Sequence, residues 1–192
     1  MSKTLFLSTL ISLGLLFTAC SENSTDKEAT SMNEDANSML STNEFTLTSL
    51  DKQEYSVKKS PSGFSVKGMK DKVIILDIFA TWCPPCQAEA SHLSSLQKKY
   101  KDSLFIVGIT VEGDISNEKL KIFRDEYNAN YTLVNSDENS RLINAVATKL
   151  NLGRNFGIPL MAMYKNGILI NYYQGAIEEE FIESDIRKAL GL

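Results

Sequence analysis

The chain has 192 residues, 43% hydrophobic and 23% charged, with a net charge of −4. That length supports one domain with a real hydrophobic core plus some tail. The mild negative charge gives no reason to expect nucleic acid, which calls for a clustered basic face. The single histidine, His92, excludes multi-histidine metal sites, and three cysteines, Cys20, Cys83 and Cys86, leave an odd one to explain.

The N-terminus explains it. Leu5 to Phe17 is almost wholly apolar and follows a lone Lys3. The run is shorter than the roughly 20 residues of a spanning helix and fits the apolar region of a secretory signal peptide. It ends in Phe17-Thr18-Ala19-Cys20, small residues just before a cysteine. That segment resembles a bacterial lipobox, with Phe17 in place of the usual leucine. The resemblance implies cleavage before Cys20 and a diacylglycerol on its sulfur, a tether to the lipid membrane without a spanning helix. The alternative is an uncleaved N-terminal anchor; both put the remainder outside the cytoplasm. Ser21 to Thr42 is rich in Ser, Asn, Thr, Asp and Glu, too polar to offset its ordering entropy, and reads as a flexible spacer. The expected division is a signal peptide over 1–19, lipidated Cys20 and linker over 20–43, and a folded domain over 44–192.

The folded domain opens with a weak alternation over Phe45 to Leu50. Short strands around Tyr55 to Val57 and Phe64 to Val66 flank the turn-rich Ser60-Pro61-Ser62-Gly63. Val73 to Phe79 is a nearly continuous apolar, β-branched run, which suits a strand buried on both faces. A helix follows over Pro84 to Tyr100, with Ala90, Leu93, Leu96 and Tyr100 on one side. Leu104 to Val111 is a second buried strand. Asp114 or Ser116 caps a helix carrying Leu120, Phe123 and Tyr127. Tyr131 to Val134 is short and strand-like, and Arg141 to Leu150 is helical. Leu160 to Tyr164 and Ile168 to Tyr173 surround Asn166-Gly167, a strong two-residue turn signal. Phe181, Ile182, Ile186, Ala189 and Leu190 mark a last helix. Strands alternating with helices, then a hairpin, imply an α/β fold with a mixed sheet and helices on both faces.

Trp82-Cys83-Pro84-Pro85-Cys86 sits where a buried strand hands over to a helix. Two intervening residues place the cysteines one helical turn apart, so the sulfurs can close and reopen a disulfide. Cys83, at the helix N-terminus, faces free N–H groups and the positive end of the dipole, which favours the nucleophilic thiolate. Cys86, a turn further in, suits attack on a mixed disulfide to release product. Pro84 and Pro85 leave the first turn intact, where a missing N–H costs nothing.

Together these segments resemble the TlpA/ResA-type thioredoxin-like proteins. The match rests on Leu76 to Cys86, the leading Phe45-Thr46-Leu47, and Gly157-Ile158-Pro159 ahead of Lys165-Asn166-Gly167. The resemblance implies a thioredoxin-like fold with an N-terminal strand extension and a central helical insertion. It implies an extracytoplasmic thiol–disulfide oxidoreductase, most readily a reductase of the cytochrome c maturation type. That protein needs no cofactor beyond the Cys83–Cys86 disulfide. Its partners are disulfide-containing proteins, apocytochrome c among them, and a membrane thiol electron donor. Ile158-Pro159 becomes a cis peptide facing the cysteines, its strand edge binding substrate together with Trp82, Pro84 and Pro85. Asp77, six residues before Cys83, takes the place of the buried acid that acts through water on Cys86. Glu89 matches an acidic position near the active site, with a plain surface charge as the competing reading. Ser91 replaces the proline that kinks this helix in thioredoxins, so a straighter helix is expected.

Other chemistries fit less well. A zinc site wants four ligands, and no second cysteine pair exists. So small a loop makes a poor structural staple. Haem attachment wants histidine after the second cysteine, where Gln87 stands. Thr81 is two residues before Cys83, not the three of a peroxiredoxin. Two alternatives remain open: a disulfide oxidase or isomerase on the same fold, and a copper-binding module using Cys83, Cys86, His92 and a methionine. Met161 and Met163 alternate with Leu160 and Ala162, so core packing is their default.

Overall fold

The computed structural model describes residues 43–192. The signal-like run 1–19, Cys20 and the linker to residue 42 lie outside the described residues. No helix among those described is long and apolar enough to cross a membrane.

Among the described residues, eight strands and four helices follow one another as β1 (Glu44–Thr48), β2 (Glu54–Lys59), β3 (Phe64–Val66), β4 (Val73–Phe79), α1 (Pro84–Lys99), β5 (Leu104–Thr110), α2 (Asn117–Glu126), β6 (Thr132–Val134), α3 (Asn139–Lys149), β7 (Leu160–Lys165), β8 (Ile168–Gln174) and α4 (Glu179–Leu190). The expected elements are all present, with ends shifted by a residue or two, as helix and strand boundaries usually are. Ser116, not Asp114, caps α2: its side chain accepts the Lys119 N–H at 3.2 Å.

β1, β2 and β3 form an antiparallel sheet, the expected N-terminal extension. The central sheet has the order β6-β5-β4-β7-β8. β4 pairs parallel with β5 and antiparallel with β7, so the sheet is mixed. The central insertion is α2 with the short parallel strand β6. An isolated bridge between Ser49 and Val134 joins the end of β1 to β6. Asn166 and Gly167 both have positive φ, the backbone a two-residue β7–β8 turn requires.

The alternation of β4 divides the core. Val73, Ile75 and Phe79 face one way, against Leu93 and Leu96 of α1, Leu120 and Phe123 of α2, and Ile182 and Ile186 of α4. Ile74, Leu76 and Ile78 face the other, against Leu142 and Val146 of α3 and Phe45, Leu47, Val57 and Phe64 of the small sheet. β4 and β5 are buried at every residue, which is why their sequences read as unbroken apolar runs. Gly63 lies at φ +152, and a Cβ there would meet Gly167 O and the Tyr164 ring at 2.8 Å. Only glycine lets the β2–β3 turn rest against the β7–β8 turn this closely.

Candidate active site

The β4 chain leaves the sheet at Phe79, turns through Ala80-Thr81-Trp82 and enters α1. Cys83 is the N-cap residue, with extended backbone at φ −89, ψ 108. Pro84 and Pro85 occupy the first helical positions and contribute no N–H. The Cys86 N–H is therefore the first the helix offers, and it points at Cys83 Sγ, 3.4 Å away. The first turn holds no acidic residue to offset the positive helix end. A thiolate at Cys83 thus meets an N–H donor and the helix dipole together, both of which favour the charged form.

Cys83 and Cys86 are joined as a disulfide with Cα atoms 5.3 Å apart, an ordinary span for such a bond. Both are 3% exposed. Exposure therefore does not separate their roles in the oxidised protein; the helix geometry does. Trp82 is 64% exposed, and Pro84 and Pro85 are exposed beside it, forming a raised apolar rim. Ile158-Pro159 is a cis peptide, as the resemblance implied. The Ile158 carbonyl oxygen lies 3.8 Å from Cys83 Sγ. In the disulfide that sulfur has no proton to donate, so this is a contact between the strand edge and the pair. The Pro159 carbonyl accepts the Gly175 N–H at 2.8 Å, so Ile158 is the residue whose backbone meets the sulfur.

Two acids are buried in the same domain. Alternation along β4 puts Asp77 between Ile75 and Phe79, on the face covered by α1. It is 2% exposed; Oδ2 accepts the Tyr131 hydroxyl at 3.0 Å, while Oδ1 has no partner. Burial pushes its pKa up to about 7, against the pull of the Tyr131 hydrogen bond. Glu89, one turn beyond Cys86 on α1, is 3% exposed and accepts the Ile177 N–H at 3.2 Å. Burial first, then the charge of Asp77, raise it to about 8, and the Ile177 N–H opposes them. The surface-charge reading of Glu89 is thus wrong. Its side chain turns into the layer between sheet and helix, where a chain segment 88 residues away supplies its donor.

A second network braces the loop before Cys83. Glu112 Oε2 accepts the Thr81 N–H at 2.7 Å, and Oε1 accepts the Thr81 hydroxyl at 3.1 Å and Lys119 Nζ at 2.9 Å. Gln87 Nε2 donates to the Thr81 carbonyl at 2.7 Å. Partial burial would raise the Glu112 pKa, but these donors outweigh it and hold the carboxyl below its ordinary value. Sequence reasoning missed Tyr131, Glu112 and Lys119, and met Thr81 and Gln87 only as departures from other motifs. Tyr131 meets Asp77 across 54 positions and Glu112 meets Thr81 across 31, so neither carries a local signal.

The remaining candidates stay in the background. Met161 and Met163 are buried in the core, the packing role expected of them. His92 is half-buried on α1, six residues past Cys86, with Nδ1 lacking a hydrogen-bond partner. Among the described residues no group of three or more His, Cys, Asp or Glu side chains gathers where it could hold a metal ion. The α1 helix runs unbroken past Ser91. Cys20 lies outside the described residues.

Known proteins resemble this arrangement. Residues 34–190 match the Redoxin family. Thioredoxin-like protein YneN of Bacillus subtilis (strain 168) is 31% identical over 71 residues, 36% of this chain and 42% of that protein. Thiol-disulfide oxidoreductase ResA of Bacillus cereus (strain ATCC 10987 / NRS 248) is 25% identical over 126 residues, 64% of this chain and 66% of that one. The chain thus spans less than two thirds of the length of these relatives. A thiol:disulfide interchange protein of the thioredoxin family from Chlorobium tepidum TLS superposes with a TM-score of 0.61 at 23% identity, covering 77% of this chain and 94% of that one. A secreted Mycobacterium tuberculosis disulfide oxidoreductase homologous to E. coli DsbE superposes with a TM-score of 0.55 at 19% identity, covering 77% and 98%. At these identities the structures establish the thioredoxin-like fold.

Proposed function

The chain belongs to the Redoxin family, and on that premise we propose that it is a thiol–disulfide oxidoreductase that reduces protein disulfides outside the cytoplasm. The observation that carries the reading is the Cys83 cap. A sulfur that accepts the first N–H of a helix, beside an apolar rim and above two buried acids, is built to become a thiolate and to exchange.

In the reduced protein the Cys83 thiolate attacks one sulfur of a substrate disulfide. The substrate S–S bond breaks, and its second sulfur leaves as a thiolate with the bond's electron pair. Cys86 then gives its proton, through water, to the Asp77 carboxylate. The resulting thiolate attacks Cys83 Sγ, closing the Cys83–Cys86 bond and expelling the first substrate sulfur with its electron pair. Two electrons move from the dithiol to the substrate, and no other cofactor takes part. The Ile158 peptide orients the substrate chain, with Trp82, Pro84, Pro85 and Pro159 as the docking rim. Glu89 holds a second proton in reserve beneath the pair.

The domain of residues 44–192 works on a linker from lipidated Cys20, after removal of residues 1–19, anchored to a bacterial membrane on the extracytoplasmic side. A membrane-borne dithiol donor returns the two electrons, since an oxidising compartment otherwise leaves the pair as the disulfide. Apocytochrome c is the substrate class to try first, on the strength of the sequence resemblance.

The test is Cys86→Ser. A reductase with this variant holds mixed disulfides on Cys83, recoverable by non-reducing electrophoresis and released by thiol. A copper-binding module loses metal and holds no partner, which sinks the exchange reading. The potential of the pair then fixes direction: a value near the thioredoxin end, about −270 mV, supports reduction, and one near about −120 mV makes the protein an oxidase or isomerase.

A further inference from the structure

We propose that Tyr131 is a positioning residue for Asp77: its hydroxyl holds Oδ2, so that Oδ1 alone is left to take the proton from Cys86 during product release. The inference rests on reading Cys83–Cys86 as an exchange site.

Three observations carry it. The Tyr131 hydroxyl donates to Oδ2 at 3.0 Å, while Oδ1, equally buried, has no partner. Tyr131 precedes β6 and is 8% exposed, so water does not compete for the bond. The neighbouring strand makes room for the ring. Gly108 of β5 pairs with Asp77, and a Cβ there would meet Tyr131 Cε2 at 2.9 Å and Leu133 Cδ2 at 2.7 Å. This glycine has no unusual φ to explain it; the space it leaves is filled by Leu133 and by the ring that reaches Asp77.

The other groups facing Asp77 are few. Glu89 of α1 interacts with it electrostatically, β7 pairs Met161 opposite it, and β5 pairs Gly108. Tyr131 is the hydrogen-bond donor to its carboxyl among the described residues. A donor on one oxygen stabilises the carboxylate and directs the incoming proton to the other. Proton transfer then has a single acceptor, oriented from outside the α1 helix. The Cys86 proton goes to Oδ1, the Cys86 sulfur pair forms the new S–S bond, and the substrate sulfur leaves Cys83 with the pair of the bond that breaks.

Tyr131→Phe removes only the hydroxyl. Asp77 ionisation, followed by carboxyl-labelled NMR in the full domain, is expected to move to higher pH by about one unit, a tenfold change in its ionisation equilibrium. The rate of product release should fall at pH 7 and recover at higher pH, and the effect should vanish when Asp77→Asn is already present. Gly108→Ala, which displaces the ring but keeps the hydroxyl, should shift Asp77 the same way. An unmoved Asp77 midpoint in Tyr131→Phe overturns the assignment whether or not the protein turns over, as does a rate loss that persists with Asn at position 77. Absence of trapped partners in Cys86→Ser overturns the exchange reading instead.

Discussion

The two faces of the central sheet share the same strands and differ in what they bury. Toward α1, α2 and α4, β4 presents Asp77 among Val73, Ile75 and Phe79, where it interacts electrostatically with Glu89. Toward α3 and the small sheet it presents Ile74, Leu76 and Ile78, and the layer opposite is aliphatic and aromatic. A residue moved by one position along β4 passes from chemistry to packing. The first face gives up stability to bury two acids, and the second supplies the apolar burial that holds the sheet together.

The sharpest test of that contrast is Asp77→Asn. In the folded protein Asp77 keeps its proton to about pH 7, whereas the ordinary carboxyl value is 3.8. Between those values the folded state binds more protons than the unfolded one, so stability falls as pH rises through the window. The full decline attributable to this group is on the order of 4 kcal/mol. The Asn variant should be the more stable protein at pH 8 by denaturant unfolding, with the advantage fading below pH 4, while product release slows. Equal stability of the two proteins at pH 8 would mean that the acid face bears no such cost.

Leu76→Ala probes the other face with the neighbouring residue. Leu76 is fully buried, and its truncation should cost about 3 kcal/mol. The pH dependence of exchange should stay where it was. A shift in that profile would show that the two faces are not separable.

A polar group buried on the second face predicts the smallest effect. The Tyr164 hydroxyl is buried without a hydrogen-bond partner, although its ring packs edge-on to Phe64 at 5.6 Å. Tyr164→Phe should raise stability by about 1 kcal/mol, since it removes an unmet polar group and keeps the ring. A loss of stability, read from the urea midpoint, would contradict the unpartnered hydroxyl.

Much of this was legible in the sequence. The unbroken apolar run of β4, Cys83 and Cys86 at the start of α1, and Asn166-Gly167 at a hairpin turn are local patterns with periods of two to four residues. The chain's own geometry imposes them before any tertiary contact forms. The resemblance added the cis Ile158-Pro159 peptide. What the sequence left open concerns partners far apart. Whether Glu89 lies on the surface or in the core depends on α4's approach segment, which brings the Ile177 N–H to it across 88 positions. Tyr131 reads as the first residue of a short strand, yet the register of β4 against β5, with Gly108 between, carries its hydroxyl to Asp77 across 54. Glu112 looks like a loop charge until the close of β5 sets it under Thr81. The sequence by itself determined the fold class and the reacting sulfurs, because backbone propensity and helix position act within a turn or a strand. Tertiary structure alone decided that Glu89 is buried as well as Asp77 and which donors meet them, because burial of a helix side chain and long-range hydrogen bonds exist only once the sheet is in register.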